Sequence, residues 1–132
     1  MSEKKNPLLA LIEEEPQKAD LNRLASFLKP FVSIDKRSRQ LTFRSTLRTL
    51  NDNNKAIEVV LMASLARALV FEDEPASMPP KDIIVLQILP EGSTKTALRT
   101  LFKSGRIKKD AQGYYLPVYR LEELLAEEKD HD

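Results

Sequence analysis

The stretch TKTALRTLFKSGRIKK at residues 94–109, followed after three residues by GYYLP at 113–117, decides how this chain folds. Within it Ala97, Leu98, Leu101 and Phe102 recur at i, i+1, i+4 and i+5, the spacing that lays apolar groups along one side of an α-helix. Ser93 precedes the run as an N-cap, whose hydroxyl can satisfy an orphan amide of the first turn. Gly105 stands just past its end, where a left-handed residue closes a helix without a Cβ clash. Residues 106–110 and 113–118 then read as two short strands around the tight turn Ala111-Gln112-Gly113. The spacing therefore predicts a helix over 94–104, a glycine terminus with positive φ, and a β-hairpin over 106–118.

Upstream, Pro80 and Asp82 suit a first helical turn, and the apolar run that follows to Leu89 is read as a helix over 80–89 stopped by Pro90. Residues 72–80, with three acids and three prolines, form a surface loop. Before it, Ile57, Val60, Leu61, Ser64, Leu65, Ala68, Leu69 and Phe71 give so broad a stripe that the helix over 55–71 must sit centrally in the core. Residues 51–54 are turn and cap residues. Asp20 can cap a helix to Lys29, with Leu21, Leu24, Ala25 and Leu28 on one face and Pro30 ending it. Residues 31–35 and 40–44 read as a hairpin around the polar, glycine-free 36–39, and 45–50 as one or two helical turns. Residues 1–18 are polar apart from Leu8, Leu9, Leu11 and Ile12, as expected for an arm or a short docking helix. Residues 119–128 close the chain as an amphipathic helix through Leu121, Leu124 and Leu125.

The order helix (55–71), helix (80–89), turn, helix (94–104), hairpin (106–118) resembles a winged helix-turn-helix domain. Leu98, Leu101, Phe102, Gly105, Ile107, Tyr115 and Leu116 match its plan, and the likeness covers residues 53–129. Residues 1–52 resemble no family. The expected fold is mainly α with small β-hairpins (α+β), a winged helix-turn-helix with an N-terminal helix and β-hairpin extension. Its divisions are the arm at 1–18, the extension at 19–52 and the winged-helix part with its C-terminal helix at 53–132. Leu61, Leu65, Leu98, Leu101, Phe102, Ile107 and Leu116 should be buried together.

Composition narrows the function classes. Apolar residues at 42% and charged ones at 31% make an ordinary globular balance. The lack of cysteine removes disulfides, thiolate metal sites and cysteine nucleophiles at once. The one histidine, His131, stands in an acidic tail, and three glycines leave no phosphate cradle. The expectation is no enzyme, no cofactor and no metal. The polar start, and an apolar run at 7–12 too short to span a bilayer, predict a cytoplasmic chain without a membrane partner.

The net charge is only +1, yet it is unevenly laid out. Acids gather at 13–15, 72–74 and 122–132, whereas 36–48 holds five cations and 95–109 holds six, neither with any acid. The resemblance implies a recognition helix over 94–104 exposing Lys95, Arg99 and Lys103. Thr94, Lys95, Thr96 and Arg99 would reach base edges, while Lys103, Arg106, Lys108 and Lys109 would meet phosphates. Lys36, Arg37 and Arg39 in the first hairpin would make a second backbone contact. The bland reading of both segments is a solvated cationic face, with Arg44 and Arg48 pairing to the acids of 72–74. Tyr114 and Tyr115 should face opposite sides, one core and one exposed. The leucine stripes at 8–12 and 121–125 read as core, with a homodimer through the N- or C-terminal helix as the alternative. The implied function is a sequence-specific double-stranded DNA binder, a small transcription regulator or a replication or partition accessory factor. The alternative is a winged-helix protein-interaction adaptor without DNA binding.

Overall fold

The structure, a computed structural model, describes residues 18–130, with side chains over 21–127; the leucine cluster at 8–12 lies outside them. In chain order it contains α1 (Lys18–Leu28), β1 (Val32–Ile34), β2 (Leu41–Phe43), α2 (Ser45–Arg48), α3 (Asn53–Val70), α4 (Pro80–Val85), α5 (Glu91–Lys103), β3 (Lys108–Asp110), β4 (Gly113–Tyr115) and α6 (Val118–Asp130). Helices thus carry the molecule, and each pair of strands is a small antiparallel hairpin.

The axle is α3. Asp52 caps it, its carboxylate accepting from the Lys55 amide at 3.0 Å. Every residue from Ala56 to Leu65 is buried, as expected of a helix that is apolar nearly all round. Ala97, Leu98 and Leu101 of α5 join this core, as do Leu24, Phe27 and Leu28 of α1 and Leu121, Leu124 and Leu125 of α6. One apolar cluster therefore runs from Leu24 to Leu125 and is shared by α1, the first hairpin, α3, α5 and α6. The α6 leucines Leu121, Leu124 and Leu125 are buried in this core.

Between α3 and α6 lies an ion pair that no local pattern announces. Arg120 grips Glu58 through both arms, Nε–Oε2 at 2.6 Å and an outer nitrogen to Oε1 at 3.2 Å, with both side chains buried. Glu123 and Glu127 of the same helix add contacts to the guanidinium at 3.1 and 3.7 Å. The Glu58 carboxylate, and secondarily Glu123, hold Arg120 charged beyond the ordinary arginine range, against the opposing effect of burial.

The glycine-free turn of the first hairpin is built from side-chain chemistry. The Asp35 carboxylate accepts from the amides of Arg37 and Ser38, and Arg39 takes the left-handed conformation at φ 64°. The Ser38 amide, then the Ser38 hydroxyl, hold the Asp35 carboxyl below its usual range. The second hairpin is anchored sideways: Met78 and Tyr114 exchange backbone hydrogen bonds at 2.8 and 3.0 Å. Gly113 makes this approach possible, since its φ is +135° and a Cβ there would run into the Met78 carbonyl. Gly105 has the predicted positive φ, 80°.

Several expectations are corrected. Helix α4 ends at Val85 rather than Leu89, because the chain leaves through Gln87 at φ 57° while the Arg48 guanidinium takes the Leu86 and Gln87 carbonyls. Helix α5 starts at Glu91, so Ser93 lies inside its first turn and no side chain caps it. Strand β3 begins only at Lys108, because the Arg106 and Ile107 amides return to the Leu101 carbonyl. On α1 Phe27 joins Leu24 and Leu28 in the core, while Leu21 and Ala25, expected on that face, are exposed. Arg44 and Arg48 do not meet the acids of 72–74. That role falls to Arg39, 2.7 Å from Asp73 and 3.7 Å from Glu74, and to Arg67, 3.9 Å from Glu74. Arg44 instead donates to the Lys29 carbonyl. Of the seven residues expected to be buried together, six are; Phe102 is 46% exposed.

Candidate nucleic-acid interface

Packing decides what α5 shows to solvent. With Thr94, Ala97, Leu98 and Leu101 turned onto the core, Lys95, Arg99, Phe102 and Lys103 are left exposed, and Arg106 follows beyond the helix end. Their spacing, i, i+4, i+7, i+8 and i+11, sets the helical ones on one side of α5. Thr96 is exposed on the adjoining edge.

The β3–β4 hairpin extends this surface in one direction only. Its register pairs Lys109 with Tyr114 and Lys108 with Tyr115, and neighbours along a strand point to opposite faces. The Lys109 ammonium lies 5.4 Å from the Tyr114 ring, and Tyr114 meets Phe102 edge-on, 5.9 Å between centroids at 73°. Lys109 is thereby joined through two rings to the exposed side of α5. Lys108 faces the other way, 5.9 Å over the Tyr119 ring, whose hydroxyl donates to the Gly105 carbonyl at 2.7 Å. Sequence reasoning gave the two lysines one role; the pleat separates them. Nor is either tyrosine of the pair fully core or fully exposed: both are half-buried.

The nearby acids have specific occupations. Asp110, at the hairpin turn, accepts from the Ser77 hydroxyl at 2.6 Å and from the Gln112 amide at 2.8 Å. The Ser77 bond is the main reason its carboxyl sits below the usual range, burial pulling the other way and the Gln112 amide adding to the lowering. Glu91 pairs with Lys95 at 3.0 Å across one turn of α5. Both groups are more than half exposed, so the pair is worth only a few tenths of a kcal/mol, about 0.3–0.5. Glu123 and Glu127 turn to Arg120 on α6.

The other expected contacts divide. Thr94 is not available to a base: it is buried, and its hydroxyl donates to the carbonyls of Pro90 and Leu89 at 3.1 and 3.4 Å. Residue 94 stands at i to the i+4 and i+7 of Leu98 and Leu101, so it shares their buried side of α5. Lys36 and Arg37 are exposed at the first hairpin's turn. Arg39 is drawn inward, stacking 4.4 Å over the Phe71 ring while it binds Asp73. Phe102 is the residue that sequence reasoning misassigned. Its place at the border of the apolar stripe, beside the cations rather than between the leucines, was the available signal.

Among the described residues no group of three or more His, Cys, Asp or Glu side chains could hold a metal ion, and no helix is long and apolar enough to cross a membrane. No protein-family model, no curated protein and no solved structure matches the chain.

Proposed function

We propose that the chain is a sequence-specific double-stranded DNA-binding protein, with α5 as the recognition helix of a winged helix-turn-helix and the β3–β4 hairpin as its wing. The order α3, α4, α5, hairpin supports that plan, as does the backbone pairing of Met78 with Tyr114, which ties the hairpin to the approach of α4. The observation that carries the reading is the exposed line Lys95, Arg99, Lys103 and Arg106, continued by Lys109, in a segment with no acid before Asp110. Lying along a major groove, Lys95, Thr96 and Arg99 address base edges, Arg99 being suited to a guanine through its two-pronged guanidinium. Lys103, Arg106 and Lys109 bind phosphates, whereas Lys108, turned to Tyr119 on the hairpin's other face, takes no part. Such a module serves a small transcription regulator or an accessory factor of replication or partition in the cytoplasm.

A gel-shift titration against random duplex at two salt concentrations tests this. The three phosphate contacts of Lys103, Arg106 and Lys109 give a slope of log affinity against log salt of about −3. Absence of salt-dependent duplex binding at low ionic strength rejects the proposal. In that event the protein-interaction adaptor takes its place, a reading favoured by the net charge of +1 and by the half-exposed Phe102.

A further inference from the structure

Phe102 is anomalous on this surface. It is a large apolar side chain, 46% exposed, placed on α5 beside Lys95, Arg99 and Lys103 rather than among the leucines of the core. Its ring is not loose: it sits edge-on against Tyr114. Tyr114 is in turn held by two backbone bonds to Met78 and lies under the Lys109 ammonium. A half-exposed phenyl group on the same side of α5 as Arg99 and Lys103, backed by one ring contact, suits a polyanion that offers one apolar feature at that point. In the major groove of duplex DNA the apolar feature is the C5-methyl group of thymine, which phenylalanine contacts well.

Resting on the DNA-binding reading above, we infer that Phe102 is a specificity-determining residue that recognises a thymine through its methyl group. The axial distance from Arg99 fixes where that thymine falls. Three residues of helix rise about 4.5 Å, against about 3.4 Å per base step along a strand. The thymine of Phe102 therefore lies one or two base pairs from the guanine of Arg99. The preferred site contains a G and a T at that separation, with the T read by shape and burial rather than by hydrogen bonding.

The test uses the full chain and a preferred duplex selected from a random 20-base-pair library. Each thymine is replaced singly by deoxyuridine, which removes one methyl group and leaves every hydrogen-bonding edge intact. At one position, next to or one removed from a guanine whose replacement no longer matters to Arg99→Ala, uracil should weaken wild-type binding about fourfold, the worth of one buried methyl-sized group. Phe102→Ala should bind the thymine and uracil duplexes alike. Phe102→Gln, closer in length and polar, serves in its place if the alanine variant melts early. Duplex binding that no single uracil disturbs overturns the inference and leaves the DNA reading standing. So does a uracil effect that persists in both Phe102 variants. Preference for the single strand over the duplex, or no salt-dependent duplex binding, overturns both.

Discussion

Removing one partner of the Glu58–Arg120 pair should cost far more than any exposed ion pair in this chain. In Glu58→Ala the Arg120 guanidinium stays where α6 packing holds it, with its side chain only 8% exposed, but loses the partners of Nε and one outer nitrogen together. Glu123 and Glu127 remain within 3.1 and 3.7 Å of the other outer nitrogen, both more than half exposed, and so recover only part of the loss. Truncating one partner of a buried pair costs about 3–5 kcal/mol, and the two remaining carboxylates place Glu58→Ala toward the lower end. For a domain whose whole stability is about 5–15 kcal/mol, that is a large fraction.

Urea unfolding followed by circular dichroism measures this loss as a fall in midpoint at unchanged slope. The double replacement Glu58→Leu, Arg120→Met should recover most of it, because two apolar groups leave no charge unpaired. A loss under about 1 kcal/mol in Glu58→Ala would refute the assignment of the pair as the α3–α6 tie. So would a double replacement that is merely the sum of the two single losses.

The remaining expectations concern the hairpin and the α5 face. Gly113→Ala should lower the melting temperature markedly, since the new Cβ meets the Met78 carbonyl and φ is +135°; a variant that melts with the parent would contradict the close approach. Because the Asp110 carboxyl is held low chiefly by the Ser77 hydroxyl, its contribution to stability is present above the ordinary carboxylate range and is lost as pH falls through the depressed folded value. Ser77→Ala should therefore be less stable than wild type at pH 7, with the gap narrowing toward about pH 3; thermal melts across that range check it, and a gap that widens in acid would reverse the sign. Arg99→Ala should cost about 1–3 kcal/mol on the preferred duplex and relax its sequence preference. Lys109→Ala should weaken preferred and random duplexes alike and reduce the salt slope by about one; competition titrations distinguish the two patterns.

What the sequence made legible is what short-range chemistry dictates. The nearly unbroken apolar character of α3, the Gly105 stop and the two hairpins each follow from residues within a few positions of one another. The first hairpin forms without glycine because Asp35 and Arg39 perform the turn locally. What stayed hidden depends on residues far apart. Arg48 reaches across 38 and 39 positions to the carbonyls at which α4 has ended, and Arg120 reaches across 62 positions to Glu58. The apolar run that begins at Ile83 does not itself say where its helix stops. The site was misread at both ends of one stripe. Thr94 stands at helical spacing from Leu98 and Leu101 and goes inward with them, and Phe102, at the stripe's margin, could be assigned to either side until Tyr114 was known to lie beside it.

The near-neutral net charge is compatible with a cationic binding face because of where the acids are engaged. Glu58, Glu123 and Glu127 converge on the single guanidinium of Arg120, and Asp73 and Glu74 converge on Arg39, with Arg67 also close to Glu74. The first cluster, at the α3–α6 seam, sets three acids against one cation, and the second, beyond the end of α3, sets two against two. The segment from Lys95 to Lys109 contains no acid at all. Exposed charges more than about 8–10 Å apart are largely screened at physiological salt, so a ligand on α5 responds to the local cations rather than to the sum. On the proposed reading, net charge governs solubility and long-range encounter, whereas duplex affinity follows Arg99, Lys103, Arg106 and Lys109, with Lys95 partly offset by Glu91. Adding acids on the surface of α6 away from α5 should leave duplex affinity nearly unchanged, while one acid at Lys103 should abolish much of it.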